Sequence, residues 1–65
     1  MSGIYCEYVV FVTVIPPDNL LVTLPIYVRN KVDAEGLVVT LRELGYVRDV
    51  NGSQARIKTV EWCKL

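Results

Sequence analysis

Two long runs of alternating apolar and polar positions occupy the first half of the chain, from Ile4 to Ile15 and from Leu20 to Arg29. Alternation with a period of two is typical of β-strands. Each run has one strongly apolar set of positions, and its other set still contains large apolar side chains. The strongly apolar sets are Ile4, Cys6, Tyr8, Val10, Val12 and Val14 in the first run, and Leu20, Val22, Leu24, Ile26 and Val28 in the second.

The register of this hairpin decides which side chains share a face. If only residues 16–19 form the loop, Ile15 lies opposite Leu20, and the two strongly apolar sets point to opposite faces. A five-residue loop, or a bulge, pairs Val14 with Leu20 and brings both sets to one side, so we expect this register. Pro25 lacks a backbone donor, which predicts that the second strand lies at the edge of the sheet.

Between Asn30 and Gly45 the apolar spacing becomes that of a helix. Asn30 or Asp33 can cap its start, and Gly45 can close its C-terminus. Because Gly36 and several β-branched residues lower the intrinsic propensity, this helix should depend on packing against the sheet. The predicted core stripe consists of Ala34, Leu37, Val38, Leu41 and Leu44.

The rest of the chain predicts a smaller strand pair, Tyr46 to Val50 and Ala55 to Cys63, with a turn at Asn51-Gly52. A four-residue loop would set Asp49 opposite Arg56. A right-handed helical connection would place the third strand beside the first, in the strand order 2-1-3. We therefore predict one α+β domain over residues 1–65. It contains a small antiparallel sheet of three to four strands (β-β-α-β-β) with one helix packed on one face.

The sheet face away from the helix is predicted to carry apolar and aromatic residues rimmed by charge, which is typical of protein–protein contacts. Ordinary exposed apolar surface is one alternative. A homodimer closing sheet on sheet, or edge to edge, is another. The predicted partner-binding residues are Tyr5, Val9, Phe11, Leu21, Tyr27 and Arg29.

The charges of the chain provide little attraction for nucleic acid or anionic lipid, because seven basic and seven acidic residues cancel. Asp49 and Glu61 also interrupt the basic stripe of the C-terminal hairpin, so the sequence favours a solvated hairpin face over a nucleic-acid site. The basic residues that could still make charged contacts are Arg48, Arg56 and Lys58, with Tyr46 and Trp62 as nearby stacking surfaces.

The sequence offers no residue set for catalysis. It contains no histidine, which excludes Ser–His and Cys–His nucleophiles and the usual catalytic zinc sites. Asp33 and Glu35, two positions apart on a helix, do not face each other. We therefore expect neither an enzyme nor a metal site or cofactor.

The compartment follows from what the sequence lacks. The N-terminus has no basic n-region of a signal peptide, and no apolar run approaches the roughly 18 residues of a membrane span. Two cysteines without a secretion signal, Cys6 and Cys63, favour reduced thiols. These features predict a cytoplasmic protein without membrane contact.

The stretch TVIPPDNLLVTLPIYVRNKVDAEGLVVTLRELGYV, followed by ARIKTVEWC, resembles the small podovirus proteins that inhibit host RNA polymerase. The resemblance covers about Thr13 to Cys63, and its matching positions are Leu24-Pro25-Ile26-Tyr27, Asp33 to Gly36, and Cys63. Family members engage the polymerase partly through arginines on the last strand, but the aligned residues here are Thr59 and Glu61.

The resemblance implies a small non-enzymatic phage-type protein in the cytoplasm of a bacterial host. Such a protein would bind and inhibit a host protein complex by occlusion, with RNA polymerase as the candidate target. The alternatives are an inhibitor of a bacterial defence nuclease complex, a nucleic-acid-binding module that uses the C-terminal hairpin, and a homodimeric accessory protein.

Overall fold

A computed structural model describes residues 6–48 and 51–65 of the chain. Its strands form one antiparallel sheet in the order β2-β1-β4-β3, and its helix packs on one face of that sheet. The predicted α+β fold with the chain order β-β-α-β-β is confirmed. The elements are β1 (Tyr8–Ile15), β2 (Val22–Val28), α1 (Lys31–Leu44), β3 (Tyr46–Arg48) and β4 (Gln54–Lys64).

The predicted strand order 2-1-3 is wrong, because β4 and not β3 lies beside β1. The helix connects β2, at one edge of the sheet, to β3 at the other edge, and β4 then returns between β3 and β1. Strand length explains this order. The three residues of β3 cannot satisfy the backbone groups of the eight-residue β1, whereas β4 pairs with β1 from Arg56 to Lys64.

The strongly apolar sets of β1 and β2 point to the same face of the sheet, as predicted. However, Val14 pairs with Val22 and not with Leu20. The difference is two residues, and an even shift leaves every side chain on its predicted face. Pro25 lies on an edge strand, also as predicted.

The longer hairpin loop is built by local hydrogen bonds. Asn19 has a positive φ of 64°, and its N–H donates to the Pro16 carbonyl at 2.9 Å. The N–H of Leu20 donates to Asp18 Oδ1 at 3.0 Å. Of the residues in these turns, Leu20 was assigned to the second strand by the alternating pattern, whereas β2 begins at Val22.

The core lies between α1 and the two central strands, on the sheet face that we call the helix face. Along α1 the predicted stripe is confirmed for Ala34, Val38 and Leu41, whereas the prediction for Leu44 is wrong because its side chain is 49% exposed. Leu44 closes the last turn, just before the chain leaves the helix for β3. The buried cluster consists of Val10, Val12, Val14, Ala34, Val38, Leu41 and Val60.

Both ends of α1 are capped by residues that the sequence indicated. Asn30 is the N-cap, and its side chain accepts a hydrogen bond from the Asp33 N–H at 3.0 Å. Gly45 takes the left-handed conformation with φ of 80°, and its N–H donates to the Leu41 carbonyl at 2.9 Å. A side chain at Gly45 would be strained, so this position favours glycine.

The second predicted hairpin differs in its pairing. Arg56 lies opposite Tyr46, so the expected pair between Asp49 and Arg56 is wrong. Asp49 itself lies outside the described residues. A positive φ of 82° at Gly52 agrees with a turn at Asn51-Gly52.

Candidate protein-binding surface

The sheet face away from α1, which we call the outer face, is organised in rows set by strand pairing. Each row takes one residue from each neighbouring strand. From the β1 N-terminus onward, the rows are Tyr27, Val9 and Cys63; Pro25, Phe11 and Glu61; Thr23, Thr13 and Thr59; and Ile15, Arg56 and Tyr46.

The first two rows form the apolar end of the outer face. Phe11 is 37% exposed and Tyr27 is 57% exposed, and Pro25 between them is exposed as well. Val9 does not belong to this accessible surface, because it is only 2% exposed. Val9 lies on a central strand between Tyr27 and Cys63, and its buried side chain offers a partner no accessible surface.

The remaining predicted partner-binding residues do not gather at one point. Leu21 is exposed in the loop before β2, and Arg29 is exposed just after β2. They are eight positions apart in the sequence, which corresponds to roughly 26 Å along an extended strand. Tyr5 lies outside the described residues.

The middle of the outer face is polar. Thr13 and Thr23 lie opposite each other with their hydroxyl oxygens 3.0 Å apart. Thr59 continues this row on β4, and the exposed Glu61 follows beside Phe11. Among the described residues, the exposed apolar part of the outer face is therefore restricted to the β1–β2 side.

A basic and aromatic group lies at the far end of the outer face. The Arg48 guanidinium carbon is 5.8 Å from the centroid of the Tyr46 ring, and Arg48 Nη1 donates to the Gly52 carbonyl at 3.3 Å. Arg56 lies opposite Tyr46 in the same row. Two of the three predicted charged contacts thus lie close together.

Lys58 and Trp62, which were predicted to lie with these residues, are placed elsewhere in the sheet. Thr13 pairs with Thr59 and Val14 with Ile57, so Lys58 is the extra residue of a β-bulge. Trp62 belongs to the helix face, where its ring packs edge-on against Tyr8 at 5.7 Å. No local sequence signal indicated this bulge.

Sequence reasoning missed an exposed column on the helix face. The β2 side chains of this face were assigned to the core, yet Val22 is 42% exposed, Leu24 40% and Ile26 37%. A helix about 10 Å wide covers about two strands spaced 4.8 Å apart, and α1 lies over β1 and β4. The signal available in the sequence was Pro25, which already placed β2 at the edge.

Two concave regions adjoin these surfaces. Beyond the end of β1, a mostly apolar cavity of about 250 Å³ is lined by Val14, Pro16, Pro17, Val22, Leu24, Val47, Arg48, Ser53 and Ala55. Along the outer edge of β4, a groove of about 480 Å³ lies beside Arg42, whose Nη2 donates to the Val60 carbonyl at 3.2 Å.

The described residues also define the chemistry near these surfaces. Cys6 and Cys63 are free thiols. Within residues 6–48 and 51–65, no three side chains of the metal-binding types come together. The helix found there is too short to cross a membrane.

Comparisons with protein-family models, with curated proteins and with solved structures gave no match. A function for this protein is therefore inferred from its residues and their arrangement. In that arrangement the most distinctive surface is the β1–β2 hairpin, which is apolar and exposed on both faces.

Proposed function

We propose that this protein is a non-catalytic binding protein that docks on a bacterial protein complex through its β1–β2 hairpin and inhibits it by occlusion. The observation that carries the proposal is the concentration of exposed large apolar side chains along this hairpin. They are Phe11, Leu20, Leu21, Val22, Leu24, Ile26 and Tyr27, all at least 37% exposed. They lie on both faces of the hairpin, and concentrations of exposed apolar surface mark interaction sites on soluble proteins.

Phe11 and Tyr27 are the best candidates for anchor residues on the outer face. Aromatic side chains dominate binding energy at many interfaces because they bury a large area with few rotatable bonds. Both residues lie on paired strands. Their backbone is therefore already ordered, which lowers the entropic cost of binding.

Occlusion requires only that a rigid surface cover a functional region of the target. A standard interface buries about 800 Å² on each partner, which a domain of this size can supply. The resemblance to podovirus inhibitors makes host RNA polymerase the first target to test. A bacterial defence nuclease complex is the alternative target of the same class.

Phe11→Asp tests the proposal directly. We expect the wild-type protein to bind purified bacterial RNA polymerase and to inhibit transcription at about one chain per enzyme. The aspartate would bury a charge at the interface, so its affinity should fall at least about 100-fold. Biolayer interferometry measures the affinity, and circular dichroism establishes that the variant is folded.

Thr59→Asp is the matched control, because Thr59 is exposed on the polar part of the same face. It introduces the same charge and should leave affinity nearly unchanged. Equal affinity of wild type and a folded Phe11→Asp variant would contradict the docking surface. No binding to polymerase would exclude this target, and a pull-down from bacterial lysate that recovers no stoichiometric partner would contradict the binding function.

Nucleic-acid binding is a second candidate, favoured by the group formed by Tyr46, Arg48 and Arg56 on one face. Arginine and aromatic side chains together suit single-stranded nucleic acid. A salt titration against single-stranded DNA and RNA tests it, because phosphate contacts make affinity fall steeply with salt. Absence of a salt-dependent complex would exclude this candidate.

A further inference from the structure

The outer edge of β2 has open backbone groups, and their identity follows from the neighbouring strands. The Val60 carbonyl accepts a hydrogen bond from Arg42, so it points away from β1. Val60 lies opposite Val12. In an antiparallel ladder the N–H and C=O of one residue point to the same side, so those of Val12 are directed at β2.

The same alternation continues on β2. Leu24 lies opposite Val12 and directs its N–H and C=O toward β1. Thr23, Pro25 and Tyr27 therefore direct theirs to the other side, where none of the described strands pairs with β2. The position of Pro25 agrees with this, because its missing donor falls on the open side.

An apolar column lies directly beside this open edge. Val22, Leu24 and Ile26 project from β2 on the helix face, and each is more than a third exposed. An added strand with an apolar column of its own would bond to the open backbone groups and cover these side chains together. Exposed edges of this kind are the sites where further strands add to a sheet.

We propose that the added strand is β2 of a second copy of this chain, paired antiparallel across a two-fold axis. In this register Thr23 of one copy pairs with Pro25 of the other. Each proline carbonyl then accepts a hydrogen bond from a threonine N–H, and the two prolines do not lie opposite each other. The same register sets Leu24 opposite Leu24 and Val22 opposite Ile26. The surface is thus self-complementary, as a two-fold interface requires.

The charges at the two ends of β2 also favour a second copy of this chain as the added strand. Asp18 lies in the loop before β2 and Arg29 follows the strand, and both are exposed. Antiparallel pairing brings Asp18 of each copy near Arg29 of the other. The net charge of zero also removes long-range repulsion between two copies.

The dimer would contain one eight-stranded sheet with both helices on the same side. The two outer faces would then be continuous, so that Phe11 and Tyr27 of both copies lie on one surface. Dimerisation would bury Val22, Leu24 and Ile26 on the helix face of β2, whereas the proposed anchor residues for the target, Phe11 and Tyr27, lie on the outer face and stay accessible. The inference therefore does not depend on the proposed target, and each can fail separately.

Cross-linking tests the register. We would place Leu24→Cys in a chain carrying Cys6→Ser and Cys63→Ser. Opposed residues without mutual hydrogen bonds lie about 4.5 Å apart at Cα, within reach of a disulfide. Under oxidised glutathione, Leu24→Cys should form covalent dimers at least about ten times faster than Val39→Cys, an exposed control on the helix. Equal rates would overturn the proposed register.

Sedimentation velocity tests the association without introduced cysteines. The wild-type chain should form dimers with rising concentration, and Leu24→Lys should weaken association at least about tenfold. Val32→Lys is the control, because Val32 is 76% exposed on the helix and should leave association unchanged. A wild-type chain that is monomeric up to about 1 mM would overturn the proposal. An equal effect of the two lysine variants would also do so.

Discussion

β1 and β2 are similar in apolar content but differ completely in burial. On the helix face Val10 is 0% exposed and Val12 is 1% exposed, whereas their partners in the same rows, Ile26 and Leu24, are 37% and 40% exposed. β1 has a strand on both sides and the helix above it. Among the described strands, β2 has a neighbour on one side only, and α1 lies mainly over β1 and β4.

The difference shows that the same type of residue serves two purposes in this sheet. An apolar side chain stabilises the fold by the area that it removes from water, about 25 cal/mol per Å². Val10, Val12 and Val14 of β1 lose nearly all of their accessible area on folding, whereas Val22, Leu24 and Ile26 of β2 keep a large part of it. What β2 retains is surface that a partner can bury.

The largest expected effect is at the helix–sheet contact. Leu41→Ala removes a buried side chain of α1 and leaves a cavity above the central strands, so it should cost about 2–5 kcal/mol. A domain of this size has only a few kcal/mol in total, so much of the variant should be unfolded. Urea titration followed by Trp62 fluorescence measures the loss.

Val39→Ala is the control for this experiment, because Val39 lies on the same helix and is exposed. Its free energy of unfolding should change by less than about 0.5 kcal/mol. An unchanged unfolding midpoint for Leu41→Ala would show that the helix stripe is wrong.

The next effect compares the two strands within one row. Val12→Ala removes two buried methyl groups and should cost about 2 kcal/mol, since each is worth about 0.8 kcal/mol before the cavity is counted. Leu24→Ala removes more atoms but from a side chain still 40% exposed, and we expect less than about 1 kcal/mol. Both are measured by urea unfolding of the monomer. A larger loss of unfolding free energy for Leu24→Ala than for Val12→Ala would contradict the difference in burial between the two strands.

The third comparison concerns the N-terminal cap of α1. Asn30→Ala removes the acceptor of the Asp33 N–H and should cost about 1 kcal/mol. Asn30→Ser keeps an N-cap oxygen and should retain most of the stability. If the two substitutions lower the thermal midpoint equally, the cap does not contribute as described.

Much of the fold could be predicted because it depends on local signals. The alternating pattern indicated β1 and β2, and helical spacing with Asn30 and Gly45 indicated α1. The strand order could not be predicted in this way, because it depends on which strand can pair along the whole length of β1. The loop length was also missed, since the turn bonds at Asn19 and Leu20 leave little trace in the apolar pattern.

The candidate surface was predicted only in part, for a reason that is also geometric. Phe11 and Tyr27 are exposed as expected, but the outward alternation of Val9 gave no sign that its side chain is buried. Conversely, Leu24 belongs to a strongly apolar set and yet is exposed. The sequence pattern specifies a face of the sheet, whereas burial depends on where the single helix lies.

Amide hydrogen exchange measured by NMR tests most directly the claim that β2 is an open edge. It should be recorded at a concentration where light scattering shows one chain per particle. We expect slow exchange at the amides of Leu24 and Ile26, which donate hydrogen bonds to β1, and fast exchange at the amides of Thr23 and Tyr27, which point away from the sheet. Equally slow exchange at all four amides of this monomer would contradict the account, because the chain itself would then cover the edge.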